Sequence, residues 1–242
     1  MNKLTVTGGE PFLYPDLDQF IRHLKNYYKQ IGTLEIITNG SIIPNSNFLE
    51  AAKDFGPNVS FLIDNYGSDL SSKAQEVAKL LFSLNLQSTI RNYTGEGTHC
   101  GGWTDFGDLT KPACKSQEEA ELTYSKCAYP QKLKFCFSIT VSYMTLCPPV
   151  RRCKELNITD NYEEYIDLLD STLSIEEQRQ KIRNIYQKKS LSACAYCQGM
   201  CDDSQRFPPA QQLTKQELLC IKAGAKTLFD VREMLEENEE VS

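Results

Sequence analysis

Ten cysteines in 242 residues, none before position 100, are the residues of this chain best suited to chemistry. They stand at positions 100, 114, 127, 136, 147, 153, 194, 197, 201 and 220. Thiolates are soft ligands for zinc and for iron–sulfur clusters, and Cys194-Ala195-Tyr196-Cys197 has the two-residue separation of a metal-binding knuckle. A thioredoxin-like redox pair fits less well, because that motif follows a strand and opens a helix, whereas this one follows a helical stretch. Only two histidines are present, so a metal site in this chain would be a thiolate site.

A second stretch with chemical potential is Leu4-Thr5-Val6-Thr7-Gly8-Gly9-Glu10-Pro11. The alternating run from Leu4 to Thr7 reads as a strand that two glycines end. Glu10 then falls at the carboxyl end of a strand, the rim where α/β sheets bind ligands. Bare backbone at Gly8 and Gly9 suits a small zwitterion, and Glu10 suits an ammonium group. Taken alone, the same residues also read as an ordinary strand-to-helix turn with an exposed acid.

The elements that must position these residues follow from hydrophobic periodicity. Strands are expected at 4–7, 34–38, 59–63 and 86–90, with helices at 16–31, from Ser46 to 55, and from Ser71 or Ser72 to 84. Their alternation is that of βαβ units and a parallel sheet. The strand ends carry Gly8-Gly9-Glu10, Thr38-Asn39-Gly40, Asp64-Asn65 and Arg91-Asn92, all on one rim. Turn chemistry explains Asn, Asp and Gly there, but requires neither Glu10 nor Arg91. Residues 93–113, rich in glycine and holding the only tryptophan, Trp103, read as a substrate-side loop.

Beyond that loop, Ser116 with Glu119, Ser174 with Glu177 and Thr214 with Glu217 have capping-box spacing and open three helices. A further helix is expected at 161–169, and the last helix runs into the acidic tail 236–240, with Cys220 as a buried thiol. A hairpin at 133–147 turning at Val141-Ser142 sets Thr140 opposite Tyr143, Ser138 opposite Thr145 and Cys136 opposite Cys147.

Composition narrows the function classes. Hydrophobic residues at 40% and charged residues at 24% describe a soluble globular protein. A net charge of −6 argues against nucleic acid as a partner. No apolar run reaches the ~18 residues of a membrane span, and Met1-Asn2-Lys3 leads into a strand rather than a signal peptide. A cytoplasmic location is expected, and a reducing compartment favours metal over disulfides for this cysteine content.

Gly8-Gly9-Glu10-Pro11 after one strand, Thr38-Asn39-Gly40 after the next, and a later cysteine-rich region together resemble radical S-adenosylmethionine (SAM) enzymes with a twitch or SPASM-like auxiliary cluster domain. The resemblance covers most of the chain. It implies an α/β fold: a partial (β/α) barrel over 1–115 lacking its first βα unit, a cysteine-rich α+β appendage over 116–205, and a C-terminal helix over 206–242. It implies that Gly8, Gly9 and Glu10 line the site for the amino group of SAM, with Asp64 and Asn65 near the ribose and Arg91 near the carboxylate. Cys147, Cys194 and Cys197 would hold an auxiliary 4Fe-4S cluster. The fourth ligand is Cys127 by family spacing or Cys136 by hairpin geometry. The family has glycine five residues before the cysteine that Cys147 matches, where this chain has Ser142.

The activity that the resemblance implies is reductive cleavage of SAM to a 5′-deoxyadenosyl radical. Hydrogen abstraction from a substrate follows, with a peptide as the family-level expectation and an electron-donor protein as partner. The family holds its catalytic cluster on a three-cysteine loop upstream of Gly-Gly-Glu, for which this chain has no counterpart. The expectation is therefore a chain begun at an internal methionine, or a decayed remnant, with SAM bound only weakly. The competing reading is a non-catalytic binding protein stabilised by zinc on Cys136, Cys147, Cys194 and Cys197.

Overall fold

The computed structural model describes residues 1–133, 136–207, 214–225 and 230–234. Two compact units divide the chain, one of Met1–Trp103 and one of Thr104–Phe207 with the described C-terminal residues. The boundary lies ahead of the expected 115/116 division. The reason is local: Ala113 and Cys114 donate their N–H groups to Ala195 O, and Phe106 O accepts from Gln198 N, so residues 104–115 belong with the cysteine-rich unit.

The first unit alternates β1 (Lys3–Val6), α1 (Leu17–Leu24), β2 (Thr33–Thr38), α2 (Ser46–Phe55), β3 (Val59–Asn65), α3 (Ala74–Ser83) and β4 (Gln87–Asn92). The strands form one parallel sheet in the order β1-β2-β3-β4. Leu34, Ile36, Val59, Phe61 and Ile63 join Leu17, Ile21, Phe48, Phe55, Val77 and Leu81 in one buried core, so the helices cover a single face. On the alternate positions, Thr5, Glu35, Ser60 and Gln87 stand in register across all four strands as a polar row. Lys3 Nζ and Thr5 Oγ1 both donate to the Glu35 carboxylate, at 2.7 and 3.2 Å.

Three helix boundaries differ from the sequence reading. The helix expected over 16–31 stops at Leu24 and tightens into a 3-10 segment, Lys25–Gln30, because Tyr27 leaves helical geometry. Asn45, not Ser46, caps α2, accepting from Phe48 N at 2.9 Å. Ser71 does not open α3. It is buried in the preceding loop, accepts from Tyr66 N at 2.8 Å and donates to Asp64 O at 3.1 Å, pinning the end of β3.

The second unit contains α4 (Gln117–Lys126), the short α5 (Ala128–Gln131), α6 (Pro148–Glu155), α7 (Ile175–Gln187) and α8 (Lys215–Lys222). Its sheet has three antiparallel strands, Ser138–Thr140, Tyr143–Thr145 and Tyr165–Asp167. The hairpin register is Ser138 with Thr145, Ile139 with Met144 and Thr140 with Tyr143, as the sequence implied. Its ladder is much shorter than 133–147, and residues 134 and 135 lie outside the described residues. The helix expected over 161–169 is instead a 3-10 turn, Tyr162–Glu164, followed by the third strand. Tyr165 and Ile166 are buried there by pairing with the hairpin, which overrides their local preference. The capping boxes at Ser174 and Thr214 are both formed, and Ser116 caps α4 through Glu119 N. Cys220 is buried on α8, while the acidic tail 236–240 lies outside the described residues.

Candidate metal centre

At the rim of the first unit, Gly8 and Gly9 are exposed, and a Cβ added to either would meet nothing within 4 Å. Glu10 is instead buried. Its carboxylate accepts from Phe12 N at 3.1 Å, Thr38 Oγ1 at 2.8 Å and Asn39 N at 2.8 Å. Three donors on about four lone-pair sites tie the end of β1 to the end of β2 and leave roughly one site for anything else. The acid expected to greet a ligand is therefore first a clamp between two strand ends.

Asp64 and Arg91 face each other in the β3–β4 register. Arg91 Nε donates to Asp64 Oδ1 at 2.6 Å and Nη2 to Oδ2 at 2.7 Å. Asn65 donates to Asn92 Oδ1 at 3.0 Å. Beside them Tyr66 stacks on Tyr93 at 5.0 Å, with Trp103 edge-on to Tyr66 at 6.0 Å and His99 edge-on to Tyr93 at 5.5 Å. Burial, and then the Asp64 charge, push the Tyr66 phenol up to about 12. The rim thus ends in an aromatic cluster next to a saturated ion pair.

The denser chemistry lies in the second unit. Cys127, Cys147, Cys194 and Cys197 all line one apolar pocket, with Tyr124, Tyr129, Leu146 and Leu191 among its other walls. The end of α4 supplies Cys127, the end of the hairpin supplies Cys147, and the 3-10 turn Ser192–Ala195 with the residues after it supplies Cys194 and Cys197. Cys136 is exposed and is not part of this lining.

Backbone amides are already aimed at the sulfurs. Leu191 N donates to Cys194 Sγ at 3.4 Å, Gly199 N to Cys197 Sγ at 3.2 Å, and Met200 N to Cys127 Sγ at 3.4 Å. Cys147 occupies the N-cap of α6, where the Val150 amide and the helix dipole favour its thiolate. Gly199 is needed for this geometry: its φ is +77°, and a Cβ would come within 2.9 Å of Thr123 Cγ2 and 3.1 Å of Cys201 Sγ.

Burial opposes the amides. It pushes the Cys147 thiol well up, and the neighbouring Cys194, Cys197 and Cys127 add to the shift. Burial likewise carries Cys194 to about 11 and Cys197 to about 12, with charge on Cys127 contributing to both. Left to themselves these thiols stay protonated near neutral pH. Several thiolates in one apolar pocket need a cationic centre to neutralise them, and binding such a centre releases their protons.

The donor set and the pocket also bear on the kind of centre. The cavity they line measures ≈ 20 Å³, room for about one water molecule. Among the described residues, no group of three His, Cys, Asp or Glu side chains is disposed to hold a metal ion. Four thiols line the pocket, and backbone amides donate to three of them, a donor set that suits zinc or an iron–sulfur cluster.

Sequence reasoning missed two parts of this site. The amide donors were signalled by Cys197-Gln198-Gly199, where glycine two residues after a cysteine lets its N–H turn back to the sulfur. Tyr124 was not signalled, because a tyrosine on the apolar side of a helix reads as core. No protein-family model and no curated protein matches the chain. No helix among the described residues is long and apolar enough to cross a membrane.

Proposed function

We propose that the second unit binds a 4Fe-4S cluster through Cys127, Cys147, Cys194 and Cys197, as the auxiliary centre of a radical SAM enzyme. The observation that carries this reading is the convergence of these four cysteines, from three separate stretches of chain, on one pocket whose backbone amides point at sulfur. A bound cluster would supply one-electron storage. The chain's own residues hold its thiolates, stabilise them by N–H donation, and exclude water with Leu146, Leu191 and Tyr124.

In this reading the first unit is an arc of a (β/α) barrel. Its strands run in sequential order, its helices lie on one face, and a polar row crosses the other. The Gly8-Gly9 backbone and the remaining lone pair of Glu10 receive the ammonium group of SAM, and Asp64, Asn65 and Arg91 border the rest. The substrate class suggested by the resemblance is a peptide, with a protein electron donor. The three-cysteine loop that accompanies SAM cleavage in the resembled family would have to come from outside these 242 residues.

Anaerobic incubation with ferrous iron and sulfide, followed by desalting and analysis, tests the cluster. About four irons and four sulfides per chain, with brown charge-transfer absorption, are expected. A colourless protein that takes up one zinc and no iron would replace the cluster with the zinc-stabilised binding protein. Trp103, half exposed against Tyr66, reports on the rim: SAM should quench its fluorescence saturably. A flat titration up to millimolar SAM would remove that ligand from these residues.

A further inference from the structure

Tyr124 lies on α4, three residues ahead of Cys127, with only 6% of its surface exposed. Its ring packs in the apolar core with Leu146, Val150 and Leu191, and its side chain also lines the four-cysteine pocket. Its hydroxyl is fully buried and has no hydrogen-bond partner. A buried O–H without an acceptor costs stability that phenylalanine would not cost at the same volume. Tyrosine at this position is explained if the acceptor arrives with the bound group.

Its side chain shares the pocket wall with Cys127, Cys147, Cys194 and Cys197, so the ring borders the thiols and not only the hydrophobic core. The backbone amides serve the cysteine sulfurs individually. Tyr124 is a side-chain donor of the lining that is buried without an acceptor, and a cluster offers what it lacks: sulfur carrying negative charge.

We infer that the Tyr124 hydroxyl is a positioning group that donates a hydrogen bond to a sulfur of the bound centre, raising its reduction potential. This rests on the cluster reading above. Hydrogen bonds to cluster sulfurs stabilise the more negative, reduced state, so removing one makes reduction harder. The same substitution should relieve the metal-free protein of an unsatisfied group. The two effects therefore belong to different states of one molecule, which a purely structural role for the ring does not produce.

The test compares wild type with Tyr124→Phe in both states. Metal-free Tyr124→Phe is expected to melt at the same or a higher temperature. After reconstitution it should hold as much iron and sulfide as wild type while its midpoint potential moves to more negative values. Tyr129→Phe serves as the comparison, since that ring lines the same pocket but its hydroxyl is not among the buried unpartnered atoms. Its potential shift should be smaller. Should Tyr124→Phe fail to fold, 3-fluorotyrosine at position 124 keeps ring and hydroxyl, strengthens the donor and should move the potential in the positive direction.

An unchanged potential in a fully loaded Tyr124→Phe protein, or in the loaded fluorotyrosine protein, overturns the Tyr124 assignment and leaves the cluster reading standing. A wild-type protein that binds no iron and sulfide overturns both. A metal-free Tyr124→Phe protein that is markedly less stable than wild type shows that the hydroxyl already has a partner, and overturns the inference by itself.

Discussion

Arg91 grips Asp64 with two parallel hydrogen bonds, 2.6 and 2.7 Å long, across neighbouring parallel strands. Asp64 is nearly buried, with 9% of its side chain exposed, and Arg91 retains 22%. The pair therefore lies between a surface ion pair, which contributes little, and a buried one, which is costly to break from one side. Arg91→Met leaves a buried carboxylate unpaired and should destabilise the first unit by about 2–3 kcal/mol. The double variant Asp64→Leu/Arg91→Met should recover most of that loss, because it removes both desolvated charges. Urea unfolding of the three proteins decides the matter. A double variant no better than the single would show that the pair's hydrogen-bond geometry, and not charge burial, dominates.

The same pair shows how far a sequence can be read. Strand ends at Asp64 and Arg91 were legible from βα alternation, and register alone makes them neighbours. What the sequence did not carry was that two residues assigned to different parts of one ligand satisfy each other. Glu10 repeats the lesson: Gly-Gly-Glu marks the rim, but the partners of the carboxylate, Thr38 and Asn39, are set by how β1 and β2 end side by side. In the second unit the hairpin register followed from its turn. The strand at Tyr165–Asp167 did not, because it exists only by pairing with Tyr143–Thr145. Local pattern names the elements; side-chain satisfaction depends on neighbours far away in the chain.

The hairpin turn stores a removable cost. Val141, 94% exposed at the tip, has φ +58°, left-handed geometry that a β-branched residue adopts with difficulty. The turn position that favours glycine is thus 141, one residue before the Ser142 singled out by family spacing. Val141→Gly should stabilise the protein by about 1 kcal/mol, the order of the left-handed penalty after allowing for glycine's greater unfolded-state freedom. Thermal and urea melts of the metal-free protein measure this. A loss of stability would mean that Val141 has a packing role its exposure conceals.

Alkaline pH should unfold the metal-free protein early. Burial raises Cys194 from 9.0 to about 11 and Cys197 from 9.0 to about 12, and raises Tyr66, Tyr124 and Tyr129 from 10.0 to about 12. Each group keeps its proton longer in the folded state than in the unfolded one. Between the two values the native state binds more protons, so stability falls as pH rises. The contribution is fully present below pH 9 and is lost progressively from about 9 to 12. Melting temperatures taken from pH 7 to 11 should be flat and then drop, with the phenolate absorbance of Tyr66, Tyr124 and Tyr129 appearing only as unfolding proceeds. Phenolate signal from all tyrosines near pH 10 in a still-folded protein would contradict the assignment.

Cys127 and Cys136 both suit the fourth ligand position on paper, and they part company in the structure. Cys127 lines the pocket with Cys147, Cys194 and Cys197 and takes an N–H from Met200 at 3.4 Å. Cys136 is exposed beyond the end of the hairpin ladder. After reconstitution, Cys136→Ser should hold iron and sulfide at wild-type levels, whereas Cys127→Ser should lose most of both or bind a cluster that bleaches rapidly in air. Serine replaces a soft thiolate by a hard, weakly acidic hydroxyl, so the contrast reports ligation more than volume. Thiol counting sharpens it: in the loaded wild type Cys136 should still react with a disulfide reagent while Cys127 is protected. The opposite pattern, with Cys136 protected and its serine variant colourless, would mean that the hairpin closes over the cluster and that Cys127 is a buried thiol at its edge.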